Sequence, residues 1–120
     1  MGPLDRPEES EGLSFETLML QELVAINSAL DLGYSLYYWR TSNNMEVDFV
    51  LYGAKGIKAF EIKRTGKISS QMLRGLKSFL KDYPMAKAYL IYGGERVMRD
   101  GDIEILPLES ALRSLPKILS

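Results

Sequence analysis

Three side chains in the middle of this sequence, Asp48, Glu61 and Lys63, have the types and spacing for acid-base and phosphate chemistry. They stand in the stretch EVDFVLYGAKGIKAFEIK, residues 46–63, which alternates polar and apolar residues through two short runs, 46–52 and 57–63, with Gly53 and Gly56 between them. That is the pattern of two adjacent strands joined by a tight turn. Side chains alternate faces along a strand, so Asp48 shares a face with Glu46 and Val50, and Glu61 shares one with Lys63 and Ala59. Phe49, Leu51, Phe60 and Ile62 fill the opposite face. If the strands are antiparallel neighbours, two carboxylates and one ammonium converge at one end of the sheet. Two like charges about 4 Å apart repel by roughly 4 kcal/mol at an effective dielectric of about 20, so such a pair wants a cation or a shared proton. Lys63 supplies part of the answer and a divalent metal the rest, since hard oxygen ligands with open positions suit Mg²⁺ or Mn²⁺.

The inventory removes most rival chemistries. Cysteine and histidine are both absent, which excludes a disulfide, a thiol nucleophile, a thiolate zinc site, a Ser-His-Asp triad and a histidine base. Hydrolysis in this chain has to run on carboxylates, lysine, hydroxyls and metal. The net charge of −1 hides a segregation: residues 1–54 carry 2 basic and 9 acidic residues, residues 55–87 carry 9 and 2, and residues 88–120 carry 4 and 5. The basic middle third is a candidate phosphate-facing region, unless its lysines are merely scattered and solvated.

The elements that must position these residues are legible in outline. The 120 residues are expected to form one domain, residues 11–120, behind an extended lead-in, 1–10, that holds two prolines and several charges. Residues 11–32 read as a helix ending at Gly33, with Phe15, Met19, Leu20, Leu23, Ile26 and Leu30 on one broad arc and Glu16 in the middle of it. Residues 34–40, YSLYYWR, read as the first strand, and 41–45 as a hairpin loop into the Asp48 strand. Tyr38 and Trp39 are expected in the core rather than stacked on a base, and Arg40 either touches phosphate or pairs with Glu46. A second helix, 69–83, buries Met72, Leu73, Leu76, Phe79, Leu80 and Tyr83 and exposes Arg74, Lys77 and Lys81. Strands follow at 88–92, 96–98 and 103–106, then a short helix, 108–115. No run is apolar enough to span a bilayer and no signal-peptide pattern opens the chain, so a cytoplasmic location is expected.

An Asp in one strand followed by Glu-x-Lys in the next resembles the signature of the PD-(D/E)XK nuclease-like superfamily, with Val47 before Asp48 where the motif's name has Pro. The words LYYWRT, EVDFVLYG, FEIKR and LRGLKSFLKDYP resemble more closely the C-terminal domain, of unknown function, of a large prokaryotic family of AAA-superfamily ATPases, over about residues 2–115. The resemblance implies an α/β (α+β) fold with a restriction-endonuclease-like αβββαβ core, a mixed central sheet flanked by helices, and a metal-dependent phosphodiesterase acting on DNA. Asp48 and Glu61 would then hold Mg²⁺ or Mn²⁺, and Lys63 would orient or deprotonate the attacking water or stabilise developing charge. A Phe-Glu on the family's first helix, here Phe15 and Glu16, adds an acid to the metal shell; otherwise Glu16 complements the helix dipole or meets solvent. Arg64, Lys67, Arg74, Lys77 and Lys81 would hold the nucleic-acid backbone, and Gln71 matches a glutamine near the site in several nuclease relatives.

The ATPase portion is an expected partner outside these residues, because no G-x-x-x-x-G-K-[ST] phosphate loop and hence no ATP site of that kind occurs in them. Two other classes stand beside hydrolysis: a regulatory or nucleic-acid-binding module without turnover, and an oligomerisation domain whose exposed aromatics form the contact surface.

Overall fold

Alternation in residues 35–63 builds an antiparallel meander, and the later strands are added at the meander's far edge. The structure, a computed structural model, describes residues 7–120, with side chains from Phe15 onward. Its elements run α1 (Pro7–Ala29), β1 (Ser35–Arg40), β2 (Glu46–Gly53), β3 (Gly56–Lys63), a 3-10 turn (Ser70–Leu73), α2 (Arg74–Asp82), β4 (Lys87–Tyr92), β5 (Met98–Asp100), β6 (Ile103–Pro107) and α3 (Leu108–Leu119). The six strands form one mixed sheet in the order β1-β2-β3-β4-β6-β5. β1, β2 and β3 are successively antiparallel, β3 pairs parallel with β4 and β4 parallel with β6, and β5 returns antiparallel to β6. The crossover from β3 to β4 is long because parallel neighbours cannot be joined by a tight turn, and α2 fills it.

Helices cover both faces. On one face Met19 and Leu23 of α1 and Ala111, Leu115 and Leu119 of α3 pack on Leu51, Phe60, Ile62, Tyr89 and Ile91. On the other, Leu73, Leu76 and Phe79 pack on Val47, Val50, Ala59, Leu90 and Ile105. The central strands β3 and β4 are thus buried on both sides, as their near-continuous apolar runs require. Asn27 ties the end of α1 to the sheet: its amide accepts from the Tyr34 N–H and donates to the Tyr34 carbonyl, both at 2.9 Å. The Tyr34 hydroxyl donates to the Leu119 carbonyl at 2.7 Å and so joins the first and last helices across the same face.

Several boundaries differ from the sequence expectation. Residues 1–6 of the expected lead-in lie outside the described residues, and 7–10 form the start of α1, where proline's fixed φ and missing donor are tolerated. α1 stops at Ala29, with Asp31 and Gly33 at positive φ, so Leu30 is exposed instead of joining the apolar arc. The second helix opens as a 3-10 turn and becomes α-helical only at Arg74. β5 lies two residues later than expected because the chain turns at Gly101, φ 58°, leaving Asp100 to pair with Ile103. α3 continues past residue 115 through Pro116, held by the burial of Leu115 and Leu119. Among the described residues no helix is long and apolar enough to cross a membrane.

Candidate active site

β2 and β3 stay paired from their hairpin turn only as far as Phe49 opposite Phe60. Beyond that point β2 follows β1, with Val47 opposite Trp39 and Glu46 opposite Arg40. β3 instead follows β4, with Glu61 opposite Leu90 and Lys63 opposite Tyr92. The strands part, and Asp48 and Glu61 stand in the fork. A bulge assists: between the pairs Tyr37/Val50 and Trp39/Val47, β2 has one residue more than β1. An extra residue of this kind bends its strand and re-aims the side chains beside it.

Where the ladder stops, carboxylates replace it. The Asp48 N–H donates to Glu61 Oε1 at 3.0 Å, and the Ile62 N–H donates to Asp48 Oδ2 at 2.8 Å. Each acid is therefore held by the backbone of the other's strand, and two donors that the fork would leave unpaired are satisfied. Lys63 Nζ lies 3.3 Å from Glu61 Oε2, with Glu61 buried and the lysine half-exposed. Both carboxyls titrate above their ordinary range. For Asp48 burial is the main cause, opposed by the Ile62 N–H, the Glu61 side chain and the Lys63 charge. Glu61 is pushed up to about 7, by burial first and by the Asp48 charge second, with Lys63 pulling the other way. Glu61, buried beside a second carboxyl, gains or loses a proton near neutrality, the range in which acid-base groups are useful.

Glu16 reaches the same field from the opposite face of the sheet, on the exposed side of α1. Its carboxyl is raised by desolvation, then by the Asp48 charge, with Lys63 lowering it and Glu46 raising it. The three expected acids nevertheless do not form a closed set: among the described residues no three acidic side chains are gathered closely enough to hold a metal ion between them. The set brought into contact is Asp48, Glu61 and Lys63. A pair of carboxylate oxygens with open positions still matches Mg²⁺, which is usually held by one or two carboxylates plus water and phosphate oxygens.

A cleft of about 670 Å³ opens over Glu61 and Lys63, between the hairpin loop of residues 41–45 and the start of α2, and Asp48 stands behind them rather than in its lining. Glu61 and Lys63 lie at its base, Asn43 and Asn44 on the loop side, and Gln71 and Arg74 on the helix side. The loop is closed by the Thr41 N–H donating to the Met45 carbonyl at 2.8 Å, and Asn44 adopts φ 66°, which asparagine tolerates better than most residues. α2 can approach because position 75 is glycine: a Cβ there would lie 2.1 Å from the Glu46 carbonyl oxygen. Asn43 and Asn44, in the loop that the sequence marks only as a hairpin connection, line the cleft, and two asparagines in a five-residue loop beside an acidic strand are the signal for it.

The expected nucleic-acid contacts divide. Arg74 lines the cleft, and Arg64 and Lys67 are exposed on the loop that leaves β3, a loop docked by the Gly93 N–H donating to the Thr65 carbonyl at 2.8 Å. Lys77 instead reaches Asp100 of β5 at 3.5 Å, and Lys81 is exposed one turn further along. Arg40 pairs with Glu46 at 3.1 Å, one of its two expected roles. Trp39 packs edge-on against Phe79, ring centroids 5.3 Å apart, as a core residue should. Tyr38 does not: β1 is an edge strand, and this ring projects into solvent.

Residues 11–111 match the family model described as Domain of unknown function (DUF4143). Two curated relatives, the uncharacterized proteins Mb2031c of Mycobacterium bovis and Rv2008c of Mycobacterium tuberculosis, are each 34% identical over 84 residues, 70% of this chain. The chain spans 18% of the length of these relatives. No solved structure matches it.

Proposed function

The chain belongs to the DUF4143 family, and on that premise we propose that it is a metal-dependent phosphodiesterase of the PD-(D/E)XK kind acting on DNA, joined in longer relatives to an AAA-type ATPase portion. The observation that carries the reading is the fork: a buried carboxylate, Glu61, and a partly buried one, Asp48, each fixed by the other strand's backbone, with one ammonium 3.3 Å from Glu61. Asp48 and Glu61 are the residues that would hold Mg²⁺ or Mn²⁺. The metal, when bound, would polarise the scissile phosphate and lower the pKa of an attacking water. Lys63 stands where it can orient that water or meet the charge that develops on the phosphate. Glu16, on the far side of Asp48, can position a water without touching the pair. Arg74, which lines the cleft, and Arg64 and Lys67, exposed on the loop that leaves β3, would hold the backbone without reading sequence.

Single-turnover cleavage of duplex, branched and single-stranded DNA with Mg²⁺ and with Mn²⁺ tests the proposal. The parent should cleave one of these, and Asp48→Asn, Glu61→Gln and Lys63→Met should each lose at least about 100-fold in rate. A parent that binds DNA but shows no metal-dependent cleavage on any of the three would overturn it.

That second outcome is the reading of a binding module without turnover, and one observation favours it. The Lys63–Glu61 pair and the two N–H donors already give each acid a partner within the chain. Binding of this type should weaken steeply with salt, and Arg74→Ala should reduce the slope of log affinity against log salt by about 1.

A further inference from the structure

A cluster of exposed apolar side chains lies away from the fork, at the free edge of the sheet. Among the described residues β1 pairs only with β2, so one side of its backbone is open over six residues. Proteins protect such an edge with prolines, lysines, bulges or extreme shortness. The opposite edge is protected in that way, since β5 has three residues, two of them charged. β1 reads Ser-Leu-Tyr-Tyr-Trp-Arg, with one charge, at its end. Beside it is a second concavity, of about 680 Å³, lined by Tyr37, Tyr38, Trp39, Tyr52, Tyr83 and Met85 among others.

We propose that β1 pairs antiparallel with β1 of a second copy of this chain, forming a two-fold dimer with one continuous sheet. Area is the first argument. Tyr37, Tyr38, Tyr52 and Tyr83 are 54%, 75%, 57% and 38% exposed. At about 200 Å² per tyrosine they present roughly 450 Å². Leu36 and Met85, also exposed, raise this to roughly 600 Å² before any backbone is counted. A standard interface buries about 800 Å² per partner, a size that is reached when the second copy covers the concavity beside β1 as well as the strand edge.

Self-complementarity is the second. An axis normal to the sheet keeps each residue on its own face, so a pairing centred on Tyr37 puts Tyr37 against Tyr37 and Leu36 against Tyr38 of the other copy. These are the aromatic and aliphatic cross-strand pairs that stabilise sheets. Charge speaks against a nucleic-acid strand in this place. At 100° per residue the basic stripe of Arg74, Lys77 and Lys81 lies opposite Phe79 and Tyr83, and Lys77 points away to β5. The concavity therefore offers stacking surface with little to hold phosphate. The same axis would leave both Glu61 clefts opening on one face of the dimer.

Sedimentation equilibrium from low micromolar to several hundred micromolar chain tests this, with Tyr38→Lys and Tyr37→Glu as variants. Tyr38 is so exposed that its replacement leaves the core untouched, and circular dichroism with a thermal melt confirms folding of each variant. The proposal expects a dimer in the parent and at least about 10-fold weaker association in Tyr38→Lys. A parent that stays monomeric at the highest concentration overturns it, including one whose tyrosines crosslink to an oligonucleotide instead. So does a dimer that survives unchanged in both variants, since the contact would then lie elsewhere. None of these outcomes depends on catalysis at the fork.

Discussion

At the scale of single residues, the fork is a proton store. Glu61 titrates near 7 against an ordinary value near 4.5, so between those limits the folded chain holds a proton that the unfolded chain has released. Stability is then fully present below the lower limit and declines as pH rises toward the upper one, by at most about 3 kcal/mol. Urea denaturation from pH 4 to pH 8 in the presence of a chelator should show that decline, and Glu61→Gln should flatten most of it. Lys63→Met removes the charge that lowers both carboxyls. It should move the carboxyl titration upward, as carbon-detected NMR of the side chains would reveal. A divalent metal should move it the other way. Asp48→Ala strips the Ile62 N–H of its acceptor and should cost about 1–3 kcal/mol, whereas Asp48→Asn keeps an oxygen there and should cost less.

At the scale of elements, the site depends on close approach. Gly75 lets α2 rest against the Glu46 carbonyl, and a methyl group at 2.1 Å cannot be accommodated without moving the helix. Gly75→Ala should therefore cost about 1–3 kcal/mol in urea denaturation and widen the cleft. Much of this arrangement was legible beforehand. Alternation in residues 57–63 placed Glu61 and Lys63 on one face, and the helix-period stripe of α2 separated Leu76 and Phe79 from Arg74 and Lys77, but the period of two breaks at Asp48, since Val47 and Val50 enter the same core. What could not be read was set by distant parts of the chain. Tyr38 has the composition of a core residue, and only the order of strands makes β1 an edge. Glu16 was read on a buried arc, yet the packing angle of α1 leaves it exposed beside the fork. The bulge at Asp48 and the end of the β2/β3 ladder belong to tertiary pairing and have no local signature.

At the scale of the whole molecule, two cores sit back to back on one sheet. The α2 core draws on residues 47–105, while the other spans residues 19–119 and joins the two ends of the described chain. The Tyr34 hydroxyl on the Leu119 carbonyl is the buried polar link of that second core. Tyr34→Phe should cost about 1–3 kcal/mol, because the carbonyl is left without its donor. Thermal melts should register the loss across the molecule as one transition, since both cores share β3 and β4.

The reciprocal bonds in the fork also make two backbone amides into reporters. Amide protons in a strand normally resist exchange with solvent because a neighbouring carbonyl holds them, and a carbonyl does not titrate. The amides of Asp48 and Ile62 are held by carboxylates, which do. Their exchange with deuterium should depend on the protonation of Glu61 and Asp48 in excess of the intrinsic pH dependence, while Phe60 and Leu90, in the intact ladder, follow the intrinsic law alone. An ion that draws either carboxylate away from its amide would be seen as lost protection at one of these two positions, before any substrate is added.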